Sequence, residues 1–131
     1  MTDKIQLSVI VPCYNEELRM RPFLDLLSNY NNRNWEFILV DDGSKDKTLE
    51  IFKKYNFYNK KIISYKKNKG KGYAVKSGVL AANGEYIIFI DADGSINPSQ
   101  IKKMKKYLKK YYVIVGTRTS RKSQVKIPFF R

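Results

Sequence analysis

The 131-residue sequence has no histidine and a single cysteine, Cys13. Without histidine there is no Ser-His-Asp or Cys-His catalysis and no ordinary zinc triad. Chemistry is left to carboxylates, lysines, hydroxyls or a metal bound through oxygen. One cysteine builds neither a disulfide framework nor a cysteine zinc site, which points to a reducing compartment, the cytoplasm. No apolar run approaches the roughly 20 residues that cross a bilayer. A strand-like segment also begins within the first few residues, where a signal peptide would lie. Acids are scarce, 12 against 26 Lys+Arg for a formal net charge of +14, and residues 94–131 hold 11 basic residues and no acid. That asymmetry points to an anionic partner for the C-terminal portion. The overall excess is less telling, because Lys, Asn, Ile, Tyr and Phe supply 60 of the 131 residues, a bias of composition.

What is present is a core. The apolar share is 43%, enough for one compact domain over residues 1–131. Apolar runs alternate with helical patterns. Strands are expected at Leu7–Val11, Phe37–Val40, Lys61–Tyr65, Tyr86–Ile90 and Tyr112–Val115. Helices are expected from Glu16 to Tyr30 behind an Asn15 N-cap, Thr48 to Tyr55, Tyr73 to Ala82 with Asn83-Gly84 as a left-handed C-cap, and Asn97 to about Lys110. This order, with strands apolar on both faces, predicts an α/β fold: a mainly parallel sheet between two helical layers. Ligands of such sheets bind beyond the carboxyl ends of the strands.

Those junctions hold six of the 12 acids. Pro12-Cys13-Tyr14-Asn15-Glu16-Glu17 has no glycine, which excludes the usual dinucleotide turn. Tyr14 suits stacking on a base and a carboxylate suits ribose hydroxyls; the plainer reading is a capped helix with acids at its positive end. Asp41-Asp42-Gly43-Ser44 places two carboxylates side by side, each in need of a donor, a cation or a ligand. The plainer reading there is a turn, with Gly43 at positive φ. Lys69-Gly70-Lys71-Gly72 suits a diphosphate at a helix start, or is a flexible basic loop. Asp91-Ala92-Asp93-Gly94 closes the most apolar strand. In extended backbone its two carboxylates lie on one side and suit Mg²⁺ or Mn²⁺.

Together the four junctions resemble the inverting, nucleotide-sugar-dependent glycosyltransferases of family 2, with the Rossmann-like GT-A fold. The resemblance runs through Ser8–Glu17, Val40–Ser44, Asn68–Val75 and Asp91–Gly94, nearly the whole chain in the family's order. The dolichyl-phosphate β-glucosyltransferases are most alike, with the dolichyl-phosphate mannose synthases close to them. The resemblance implies a nucleotide pocket of Pro12, Tyr14, Glu16, Asp41, Asp42, Lys71, Gly72, Asp91 and Ala92. It implies catalytic roles for Asp91 and Asp93, with the metal on Asp93 and Ser95, where the mannose synthases have glutamine in the serine's place. Gly116-Thr117-Arg118 and Pro128-Phe129-Phe130-Arg131 match later family segments, so Arg118 and Arg131 would contact donor or acceptor phosphate.

The implied reaction moves a hexose, glucose from UDP-glucose before mannose from GDP-mannose, to dolichyl or another polyprenyl phosphate. An ionised phosphate acceptor needs no general base, which agrees with the missing histidine. Family domains continue beyond the segment at which this chain stops, and the eukaryotic relatives carry an N-terminal anchor not seen here. The expectation is a domain without the acceptor-side part, truncated or completed by a partner subunit or by self-association. A non-catalytic nucleotide-sugar-binding module is the alternative. Six lysines between Lys102 and Lys110 flank core-spaced Ile101, Met104 and Leu108. They read as a solvated face, with peripheral docking on an anionic membrane as the other possibility. Nucleic acid is not expected, for no binding motif is present and the acids cluster where phosphates would be repelled.

Overall fold

The computed structural model describes residues 4–116. Four strands, β1 (Leu7–Cys13), β2 (Trp35–Asp41), β3 (Asn59–Ser64) and β4 (Tyr86–Phe89), alternate with four helices: α1 (Met20–Ser28), α2 (Thr48–Lys53), α3 (Lys71–Ala81) and α4 (Ser99–Lys105). All strand pairs are parallel, in the order β3-β2-β1-β4. The order turns back at β1, so the crevice beyond the carboxyl ends of β1 and β4 is the topological switch point, where open α/β sheets take ligands.

Every residue of β1 and β2 is buried, which is why both strands read as unbroken apolar runs. On one face Val9, Val11, Phe37 and Leu39 pack against Phe23 and Leu27 of α1, Phe52 of α2 and Ile101 of α4. On the other, Ile10, Ile38 and Val40 pack under Ala74 of α3. A Cβ at Gly78 would collide with the Ile10 side chain, so glycine lets α3 lie close on the sheet. The result is the expected three-layer α/β/α arrangement.

Several boundaries differ from the sequence reading. Helix α1 starts at Met20, because Asn15 has φ 52° and turns the chain instead of capping a helix. Helix α3 starts two residues early, at Lys71, and leaves through an extended Ala82. Asn83-Gly84 is no left-handed cap. Gly84 is needed because a Cβ would stand 2.6 Å from Ser8 Oγ. Helix α4 ends at Lys105, although Asn97 does accept the Ser99 N–H at 2.9 Å. Lys102 and Lys105 lie over the rings of Tyr30 and Trp35, at 5.1 and 5.2 Å, so part of the lysine face covers aromatic core. Tyr112–Val115 forms no strand, and Tyr112, Val113 and Val115 are exposed. An apolar run becomes a strand only where a neighbour pairs with it, and none of the described residues does.

One charged group lies deep in the fold, at the end of the sheet away from the switch point. Glu36 is 2% exposed. Its Oε1 accepts the Ser8 hydroxyl and the Asn83 N–H, and its Oε2 lies 3.0 Å from Lys61 Nζ. Ser8 Oγ accepts the Gly84 N–H, and Lys61 also donates to the Ala81 carbonyl. Burial alone would raise the Glu36 pKa, but the bonds from Ser8, Asn83 and Lys61 outweigh it and hold it below the usual value. A depressed carboxyl pKa stabilises the fold above the unfolded-state value and loses that contribution as pH falls through the folded one. Glu36→Gln is expected to cost about 1–3 kcal/mol at neutral pH, and to cost less at pH 4. Urea unfolding of both proteins at pH 7 and pH 4 measures this; an equal loss at both values would mean that the carboxylate's charge is not what holds the network.

Candidate functional site

The β1–α1 and β2–α2 loops are sewn together at the switch point. Asn15 donates its N–H to Ser44 Oγ at 2.9 Å and accepts the Lys45 N–H at 2.8 Å. Glu16 N–H donates to Thr48 Oγ1, Glu17 N–H to Asp46 Oδ2, and Lys47 N–H back to Glu17 Oε2. Asp46 also accepts both the N–H and the hydroxyl of Thr48, and these donors hold its carboxyl below the usual range against the opposing effect of burial. This interlock frames the crevice, and the sequence reading missed it. The only sequence signal is the alternation Ser44, Asp46, Thr48, which by itself looks like an ordinary helix cap.

On that frame Pro12 ends buried in β1 and the Tyr14 ring stands 46% exposed at the rim. Glu16 pairs with Arg19 at 2.8 Å through Oε1, while its buried Oε2 has no hydrogen-bond partner. Burial raises the Glu16 pKa; Arg19 opposes this, and the negative charges of Asp93 and Asp46 add to the rise. Glu16 thus feels the field of Asp93, beyond β4. Cys13 is buried, and burial followed by the surrounding acids, Asp41 first, pushes its thiol far up, so it is no nucleophile.

The adjacent acids divide their work. Asp41 accepts the Ser44 N–H at 3.2 Å and the Ser64 hydroxyl at 2.9 Å, folding its own turn onto β3. Asp42, 3% exposed, accepts the Lys69 N–H on one oxygen and the Gly70 N–H on the other, each at 2.8 Å. Asn68 Nδ2 donates to the Asp42 carbonyl. The loop presses on Gly43, where a Cβ would lie 2.8 Å from Asn68 N and where φ is 78°. Asp42 therefore sets the loop in which α3 begins. Lys69 leaves this loop with its ammonium 4.5 Å from the Tyr73 ring centre and 5.1 Å from that of Tyr65, a cluster the sequence reading also missed. Gly72 leaves the first turn of α3 open, with nothing within 4 Å of where a Cβ would stand.

Lys71, the first residue of α3, reaches across the crevice to Asp91, Nζ to Oδ1 at 2.6 Å. The Asp91-Ala92-Asp93 segment differs from the extended backbone expected. β4 ends at Phe89, and the acids lie in a turn closed by Gly94 at φ 73° and by the Ser95 N–H on Asp93 Oδ1. Ala92 is buried and the acids on either side of it are part-exposed, so both still face the crevice.

The turn suits a divalent ion. Its donors are hard oxygens, two carboxylates and the Ser95 hydroxyl, and Mg²⁺ or Mn²⁺ completes such a set with phosphate and water. No group of three or more acidic, Cys or His ligands is gathered among the described residues. Lys71 already supplies Asp91 with a stand-in cation. Arg118 and Arg131 lie outside the described residues.

The chain is similar in sequence and fold to known proteins. The description "Glycosyl transferase family 2" matches residues 8–128. A dolichyl-phosphate beta-glucosyltransferase of Trichomonas vaginalis is 37% identical over 131 residues, covering 88% of this chain and 39% of that protein. Among solved structures, S. aureus TarS 1-349 in complex with UDP-GlcNAc is similar with a TM-score of 0.68 and 32% identity, over 79% of this chain and 31% of that one. The mannosyltransferase PcManGT from Pyrobaculum calidifontis, in complex with GDP-Man and Mn²⁺, reaches 0.62 and 26%, over 67% and 27%. This chain thus spans well under half of the proteins it matches, and no helix among the described residues is long and apolar enough to cross a membrane. With the match covering most of the chain and the acids of three strand ends at one switch point, the protein belongs to glycosyl transferase family 2.

Proposed function

We propose that the protein transfers glucose from UDP-glucose to dolichyl or another polyprenyl phosphate, with inversion at the sugar carbon. The observation that carries this reading is the Asp91–Asp93 turn, set at the switch point opposite Lys71. The identity to a dolichyl-phosphate beta-glucosyltransferase supports the choice of substrates. Pro12 and Tyr14 would wall the base, with Glu16, Asp41 and Asp42 beneath it. Asp91 and Ala92 would lie beside the ribose and sugar, and Lys71 with Gly72 by the diphosphate. Asp91, Asp93 and Ser95 would hold Mg²⁺ or Mn²⁺, which supplies charge stabilisation to the departing nucleoside diphosphate. The acceptor phosphate is already ionised, so what the chain supplies is alignment and screening of charge; no side chain has to remove a proton. Arg118 and Arg131 would bind donor or acceptor phosphate. A lipid acceptor would put the reaction at a membrane surface, which we read as the cytoplasmic face, and exposed Lys103, Lys106, Lys109 and Lys110 suit peripheral contact with anionic lipid there.

A second reading is favoured by the 39% coverage of the relative: the chain binds donor, and transfer depends on further polypeptide. Radiolabelled sugar transfer to polyprenyl phosphate in detergent separates the two, since turnover by this chain eliminates the second. Calorimetry tests the donor site. UDP-glucose and UDP should bind in the presence of Mn²⁺, and GDP more weakly. Asp93→Ala should remove the metal-dependent part of the affinity, about tenfold or more. Nucleotide binding that is equally strong without metal, or unchanged in this variant, would sink the assignment.

Asp42→Asn turns one acceptor into an NH₂ group that faces a backbone N–H. The 68–70 loop should loosen, with faster amide exchange at Lys69 and Gly70 and donor affinity lowered about tenfold. Unchanged exchange at both amides would show that the carboxylate does not hold the loop.

A further inference from the structure

The Lys71–Asp91 pair is placed where it conflicts with the ligands of the proposed site. Its 2.6 Å contact bridges the start of α3 and the turn after β4. The Lys71 side chain is 59% exposed and that of Asp91 30%, so the pair adds little to stability. Its location matters more. Asp91 is one of two carboxylates in the turn that suits a divalent ion, and Lys71 already neutralises it. Glu16, across the crevice, senses the charge of Asp93. The site therefore holds a concentration of negative charge with Lys71 as a built-in cation.

Resting on the reading above, we propose that Lys71 is the resident counter-cation of the Asp91–Asp93 turn. Its exchange from Asp91 to the donor diphosphate couples metal binding and nucleotide binding to each other. A dication arriving alone must displace an ammonium from Asp91 and leave it without a partner. A diphosphate arriving alone meets the carboxylates of the turn while the Lys71 ammonium is engaged with Asp91. With both bound, Asp91 would serve the dication and the Lys71 ammonium would serve a phosphate oxygen, so the pair is broken once. Such coupling is reciprocal: the metal tightens the nucleotide by the factor by which the nucleotide tightens the metal.

Local structure permits the exchange. Lysine carries its charge on a flexible four-carbon stem. The glycines on either side, Gly70 and Gly72, have nothing within 4 Å of where their Cβ atoms would stand, so the surroundings of Lys71 are open. The backbone from which the stem springs is nevertheless fixed, because Asp42 holds the N–H groups of Lys69 and Gly70.

The test is Mn²⁺ titration of the 131-residue chain, followed by the electron paramagnetic resonance of free Mn²⁺, with and without UDP. Lys71→Met should bind Mn²⁺ alone about two- to fivefold more tightly than the wild type, the range carried by a half-exposed ion pair. UDP should then enhance Mn²⁺ binding less than it does in the wild type. Lys71→Arg, which keeps the cation, should restore the wild-type pattern. Lys76→Met removes the same charge from an exposed position further along α3 and should behave as wild type. If Lys71→Met binds Mn²⁺ alone no better than the wild type, or shows the same enhancement by UDP, the counter-cation role is wrong and Lys71 is an ordinary phosphate contact. Failure of the transferase reading looks different: the wild type itself would then bind neither UDP nor UDP-glucose with Mn²⁺ present.

Discussion

The buried carboxylate of Asp42 is the contact on which the geometry of the site depends. By accepting the N–H groups of Lys69 and Gly70 it fixes where the loop after β3 ends and where α3 begins. That start point places Lys71 within reach of Asp91, on a different strand end. Asp42 is buried although its contacts are part-buried, so leaving its carboxylate without donors would be costly. Gly43 completes the arrangement by letting the loop backbone come closer than any side chain would allow.

The six acids at the strand ends look alike in the sequence, yet the fold gives them different tasks. Asp41 and Asp42 are occupied by donors from the chain itself, and Glu17 is drawn into the interlock with the β2–α2 loop. Glu16 is half committed, one oxygen to Arg19 and the other buried without a partner. Asp91 is paired with a lysine that can leave. The acids committed to the β1–α1, β2–α2 and β3–α3 loops make the frame, and those beyond β4 form the turn that faces Lys71. At the far end of the same sheet Glu36 shows the opposite outcome, a carboxylate so fully served by donors that its role is structural.

Much of the fold was legible because burial leaves a plain mark. β1 and β2 are covered on both faces, so their sequences are apolar without alternation, and parallel pairing follows from the helices between them. The site was legible as a location, since strand order and acid placement agree on one crevice. Less legible was anything decided by contacts distant in sequence. Asn15 has the composition of an N-cap, but Ser44 and Lys45 hold it in a left-handed turn. Asn83-Gly84 has the composition of a C-cap, but Gly84 serves the close approach to Ser8. Tyr112–Val115 has the composition of a strand and no partner among the described residues.

The net charge of +14 gave little guidance, for it hides the few acids that matter. The layer architecture, the crevice and the kinds of atom available there can be read from residue order alone, because hydrophobic pattern and residue type are local properties of the chain. Which carboxylates the loops engage, and which one pairs with Lys71, follows from the assembled fold. Hydrogen-bond donors for buried acids come from loops far away in sequence, and their positions are settled only when the sheet assembles.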